Sequence, residues 1–155
     1  MTTKLLLLAF ALGLCVQDAP FNGRDLTNFY TWETKHGRED PDKVFTVVDQ
    51  IDGAPAILMS GQHYGGITTL ERYTNYRLVT EFRWGEVTWE PRKNKTRDSG
   101  ILLHCQGENG RGKNRVDWRD KDPQWKDVLG FRGARDVEKP VGQWNVVEVI
   151  GDGGN

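Results

Sequence analysis

Between Tyr76 and Trp84 the chain alternates residue by residue, and this run constrains the fold more than any other stretch. Tyr76, Leu78, Thr80, Phe82 and Trp84 fall on one side, while Arg77, Val79, Glu81 and Arg83 fall on the other. Strand side chains repeat every second residue, so this period belongs to a half-buried strand and not to a helix. A charged loop follows. Asp98-Ser99-Gly100 then leads into a second apolar run, Ile101 to Cys105, whose spacing predicts another strand with Ile101, Leu103 and Cys105 on its core side. The pair predicts a sandwich that buries one face of a sheet and keeps the other polar for a ligand.

Further β-rich runs lie at Val44 to Val48, Ala56 to Ser60, Gly66 to Leu70 and Trp144 to Ile150. Asp52-Gly53, Gly61, Gly65-Gly66 and Gly100 mark turns or bulges beside them. No apolar stretch keeps a helical period for three turns, and no repeat of fixed length is present. The expected class is all-β, an antiparallel β-sandwich. With 155 residues, 37% hydrophobic and 28% charged, the chain has the composition of one globular domain. Its formal net charge of −1 and lack of a basic stripe argue against nucleic acid as a partner.

Residues 1–19 read as a secretory signal. Lys4 precedes the apolar run Leu5 to Leu14, which is too short to span a bilayer as a mature helix. Leu12-Gly13-Leu14-Cys15 also resembles a lipobox, which leaves two fates open: ordinary cleavage, or a lipid anchor at Cys15 as the one contact with a membrane. The expected location is secreted or periplasmic, and residues 20–155 form the domain. Cys105 is then its lone cysteine, excluding an internal disulfide and reading as a small buried hydrophobe.

Three separated segments carry a family resemblance: Phe21-Asn22-Gly23-Arg24-Asp25-Leu26, Asp98-Ser99-Gly100-Ile101, and Lys139-Pro140-Val141-Gly142-Gln143-Trp144-Asn145. Their order, with the strand Tyr76 to Trp84 between the first two, resembles the 3-keto-disaccharide hydrolase domain family, once catalogued as a domain of unknown function. The resemblance implies a concanavalin A-like jelly roll that binds sugar on its concave face, in an exported bacterial protein acting on glycosides. The family continues beyond the Trp-Asn strand and carries an extra Glu- and Gln-rich strand before the Trp-rich segment. Here the chain ends at Gly-Asp-Gly-Gly-Asn, and Gln106 passes directly into a charged loop. The sandwich is therefore expected to be incomplete, with unpaired edges and exposed core.

The chemistry implied by the family is elimination followed by hydration. A ketone at sugar carbon 3 acidifies the hydrogen on carbon 2; a base removes it, the enolate expels the glycosidic oxygen from carbon 1, and water adds back. That route needs a general base, an electrophile for the enolate oxygen and a proton for the leaving group. A divalent metal ion held by His and carboxylate is one form the electrophile can take.

His104, on the side of its run opposite Ile101, Leu103 and Cys105, is a candidate base or metal ligand, or else a surface histidine. Glu81 is a candidate base or ligand, and Arg83 beside it would orient sugar hydroxyls; the plain alternative is a surface ion pair. Glu148 interrupts the run Val146 to Ile150 as either a second cleft carboxylate or an outward strand residue. Asp98 and Ser99 suit sugar binding and turn chemistry equally. Trp89, Trp118 and Trp125 lie in loops, where a ring can stack on a sugar or pin its own loop, while Trp84 and Trp144 read as core. His36 and His63 sit in polar, turn-rich surroundings that argue against catalysis. Two other readings remain beside the enzyme: a carbohydrate-binding module without catalysis, and an inactive fragment.

Overall fold

A computed structural model describes residues 19–105, 124–133 and 136–152. Six strands run through them: β1 (Phe29–Glu33), β2 (Phe45–Ile51), β3 (Ala54–Met59), β4 (Gly65–Thr69), β5 (Tyr76–Phe82) and β6 (Asn145–Gly151). They pair antiparallel as β1 with β4, β2 with β3 and β5 with β6, and no helix occurs among the described residues. The arrangement is all-β and antiparallel, that of an incomplete β-sandwich.

The β2–β3 hairpin turns on two residues. Ile51 pairs with Ala54, and between them Asp52 and Gly53 adopt φ of 51° and 95°. Positive φ at both central positions is the geometry that suits the right-handed twist of the flanking strands, and Asp-Gly tolerates it best. At the other end of the hairpin the Asp40 carboxylate accepts the backbone N–H of Val44 at 2.6 Å and of Phe45 at 2.9 Å. That cap starts β2. Val44 and Phe45 are the buried hydrophobics among the described residues.

β5 behaves as its alternation demands. Tyr76, Leu78, Thr80 and Phe82 are half-buried, whereas Arg77, Val79 and Glu81 are exposed. The register sets Leu78 opposite Val149, Thr80 opposite Val147 and Phe82 opposite Asn145, with Phe82 and Trp84 packed edge to face at 5.7 Å. The outer face pairs Arg77 with Ile150, Val79 with Glu148 and Glu81 with Val146. Val146 and Ile150 are 59% and 72% exposed there, so this side mixes charge with uncovered apolar surface.

Two of the sequence segments singled out above are self-contained turns. The Asn22 side-chain oxygen Oδ1 accepts the backbone N–H groups of Arg24 and Asp25, and the Asp25 carboxylate accepts both the N–H and the hydroxyl of Thr27. Gly23 takes φ 77° with Pro55 packed against it, a place and a conformation that favour glycine. Near the other end, the buried Asn145 side chain accepts the N–H of Lys139 at 2.7 Å, and Gly142, at φ 84°, donates its N–H to the Trp84 carbonyl. The Lys139 to Asn145 turn thereby delivers β6 to β5.

Several expectations are corrected. Residues 101–105 form no strand: Ile101, Leu102, His104 and Cys105 are exposed, His104 has φ 51°, and the alternation finds no partner among the described residues. A strand is stabilised by its ladder, and a local period does not supply one. Cys105 is accordingly not a core residue. Trp84 and Trp144 are half-buried with their indole N–H groups on carboxylates, Glu138 and Asp52 respectively, so neither is plain core. Cys15 with all but the last residue of the expected signal segment, and Trp118, lie outside the described residues.

Candidate functional site

The outer face of β5 and β6 gathers three of the residues singled out by sequence. Glu81 and Glu148 share it, exposed. Arg77 donates to Glu148 at 2.6 Å and holds its carboxyl below the ordinary value. The side chain of Glu81 has no such partner among the described residues. One step beyond the ladder stand Arg83 and Trp144, the guanidinium 5.0 Å above the indole ring. Both reach Asp52 at the tip of the β2–β3 turn, Arg83 at 2.8 Å and the Trp144 N–H at 2.8 Å. A fixed cation, an aromatic plate and a free carboxylate thus lie along one edge of the ladder. These are groups that orient hydroxyls, stack on a sugar and accept a proton.

His104 lies elsewhere. Its ring is 6.2 Å from that of Tyr76, on the inner face and at the opposite end of β5 from Glu81. Five residues of strand at about 3.4 Å each put the two ends roughly 17 Å apart. The pair expected to share a metal ion is not brought together. Asp98 and Ser99 are exposed in an irregular segment beside Arg97, which donates to the carbonyls of Gly85 and Glu86. Trp89 donates its indole N–H to the Ser60 carbonyl at 3.0 Å and leaves part of its ring in water, pinned and available at once. Trp125 packs edge to face on Phe131 at 5.3 Å within its own segment.

A second cluster forms where β1 ends and β4 begins. Glu33, the last residue of β1, exchanges backbone hydrogen bonds with Gly37 at 2.7 and 2.9 Å, closing a tight loop over Thr34, Lys35 and His36. The loop returns His36 toward the strand end, and its Nδ1 lies 2.8 Å from Glu33 Oε1. Antiparallel pairing sets Gly65 opposite Glu33, so His63, two residues before β4, arrives on the same side. The two imidazoles meet edge to face at 5.7 Å. Asp42 accepts from His63 Nε2 at 2.7 Å and from Lys35 at 3.3 Å, and these bonds hold its carboxyl below the ordinary value. Glu33 is 1% exposed, and its Oε2 is buried without a hydrogen-bond partner.

A family model described as the 3-keto-alpha-glucoside-1,2-lyase-like domain matches residues 18–155. The chain belongs to this family. No curated protein and no solved structure matches it.

Within this lyase-like domain, sequence reasoning passed over the Glu33, His36 and His63 cluster. Glu33 and His36 are three residues apart, a spacing at which two side chains often meet, but the third member enters only through the β1–β4 pairing. Trp144 and Asp52 were missed as functional candidates for a related reason. Each has a sufficient local role, one as a strand aromatic and one as a turn residue.

Proposed function

We propose that the protein acts on 3-keto glycosides, eliminating the glycosidic substituent and hydrating the product, as an exported domain that meets its sugar outside the cytoplasm. The observation that carries the reading is the family match across residues 18–155. The charged and aromatic edge of β5 and β6 supports it by offering the groups the reaction needs.

In this reading the sugar lies along the outer edge of the β5–β6 ladder with one face against Trp144. Glu81, exposed and with no partner among the described residues, removes the proton from carbon 2. The electron pair left behind forms the enolate with the carbon 3 carbonyl, and Arg83, steadied by Asp52, stabilises the oxygen that gains the charge. Collapse of the enolate breaks the bond from carbon 1 to the glycosidic oxygen, which leaves as the alcohol after protonation. Water then adds at carbon 1 and a proton returns to carbon 2.

The test is turnover of a 3-keto glycoside in heavy water. Deuterium at carbon 2 of the product is expected, and Glu81→Gln should lower turnover by about a hundredfold or more, the scale of one acid–base group. Loss of turnover on His104→Ala, with Glu81→Gln unaffected, would move the base to the other end of β5. Binding of the sugar with no turnover would make the domain a carbohydrate-binding module, and cleavage without deuterium would exclude elimination.

A further inference from the structure

We infer that Glu33, His36 and His63 form a binding site for a first-row divalent transition metal ion, with Asp42 behind it as a positioning carboxylate. The inference does not rest on the keto-sugar reading. It begins from geometry: one ligand atom from each of the three residues lies within 4.8 Å of the other two. Around a tetrahedral ion with bonds of about 2.0–2.2 Å, ligand atoms stand roughly 3.3–3.5 Å apart. The cluster would have to contract by little more than 1 Å, a movement within the reach of side-chain torsions.

An independent observation points the same way. Glu33 is among the most buried side chains described, yet its Oε2 has no hydrogen-bond partner. An orphaned buried carboxylate oxygen is costly and calls for a cation. His36 already engages Oε1 at 2.8 Å, which leaves Oε2 as the free ligand atom. Lys35, the nearby ammonium, is directed instead to Asp42 at 3.3 Å.

The fourth residue completes the pattern. A histidine that binds a metal through one ring nitrogen commonly gives its other N–H to a carboxylate, which fixes the ring and raises its basicity. His63 Nε2 lies 2.7 Å from Asp42 Oδ2, leaving Nδ1 for the ion. Asp42 in turn is set by the cap at Asp40, two residues earlier, which fixes the start of β2. Two nitrogens and one oxygen select zinc, cobalt, nickel or iron over calcium and magnesium, which prefer all-oxygen cages. Three protein ligands also leave a coordination position for water or a ligand oxygen, as in catalytic zinc sites. The partly exposed histidine rings put that position at the surface.

The experiment is titration of the chelator-treated full-length chain with Co2+, read by visible absorption and followed by competition with Zn2+. One equivalent of Co2+ should bind and be displaced by Zn2+. His63→Ala and Glu33→Gln should each weaken binding at least tenfold, and Asp42→Asn by ten- to a hundredfold, while His104→Ala leaves it unchanged. Circular dichroism checks that each variant keeps its strands. Because Glu33 is buried, His63→Ala is the variant that keeps the test valid if Glu33→Gln does not fold. In the wild type, Zn2+ should also shift the imidazole NMR signals of His36 and His63 and spare His104. The inference is overturned if the folded wild type takes up no stoichiometric Co2+, if uptake survives His63→Ala, or if the signals of His104 move instead. None of these readouts uses sugar turnover, so failure of the proposed reaction leaves the metal result standing, and the reverse holds too.

Discussion

Gly65→Ala should loosen the end of the β1–β4 ladder and scatter the cluster built on it. A Cβ on Gly65 would stand 2.3 Å from the Trp32 carbonyl oxygen and 3.0 Å from the Cα and Cβ of Glu33. Side-chain carbons do not approach other heavy atoms closer than about 3.0 Å, so the strands must part by roughly 0.7 Å or more. The obstacle is backbone, which cannot swing aside as a flexible side chain can. Freeing the final pairs, Trp32 with Gly66 and Glu33 with Gly65, sacrifices about two hydrogen bonds at a net ~1 kcal/mol each. Reduced freedom of the unfolded chain offsets about 0.4–1 kcal/mol. The net destabilisation is about 1–1.6 kcal/mol. Urea denaturation of both proteins measures it, and amide exchange at Thr34, whose N–H donates across to the Tyr64 carbonyl at 2.8 Å, should accelerate while exchange along β5 does not. Stability unchanged to within about 0.5 kcal/mol, the usual scatter for harmless surface changes, with Thr34 still protected, would refute the reasoning.

Asp25 should titrate far below an ordinary carboxyl. The hydroxyl of Thr27 and then the amide of Asn22 hold its pKa at about 2. A lowered folded value means that the turn is stabilised at neutral pH and loses that support as pH falls through about 2. The amide signals of Thr27 and Arg24 should move with that midpoint, and a midpoint near the usual carboxylate value would count against the turn. Asp127→Ala should release the loop around Thr96, whose N–H and hydroxyl it accepts together with Arg92. Faster amide exchange at Thr96 and at Leu129, which donates to the Asn94 carbonyl, is the expected result; unchanged protection would refute it. Because Thr96 first and Arg92 next lower the Asp127 carboxyl, the same tie should weaken in the wild type as pH drops below the ordinary carboxylate range.

What the sequence disclosed was local. The inner and outer faces of β5 could be read from its alternation, and the β2–β3 hairpin from Asp52-Gly53, because both depend on neighbours in the chain. β1 was not legible: Phe-Tyr-Thr-Trp-Glu has no clear period, and its partner begins more than thirty residues later at Gly65. The same distance concealed His63 from Glu33 and His36. Ile101 to Cys105 misled for the converse reason, since it has strand chemistry without a ladder to join among the described residues. His104 and Glu81 both occupied plausible faces, but parity along separate segments carries no information about which end of β5 each approaches.

Asp52 shows how a residue can be chosen twice. As the first residue of a two-residue turn it could equally be Asn, which accepts the left-handed conformation as readily. As the acceptor for both Arg83 and Trp144 it could not, since Asn offers one carbonyl oxygen and no charge to a guanidinium and an indole that meet on a single carboxylate oxygen. The tip of one hairpin is therefore a rivet through the edge of a separate antiparallel pair, although the two share no strand. Loop grafting that treats the β2–β3 turn as an interchangeable module would preserve the hairpin and still leave the neighbouring Arg83 without its anchor.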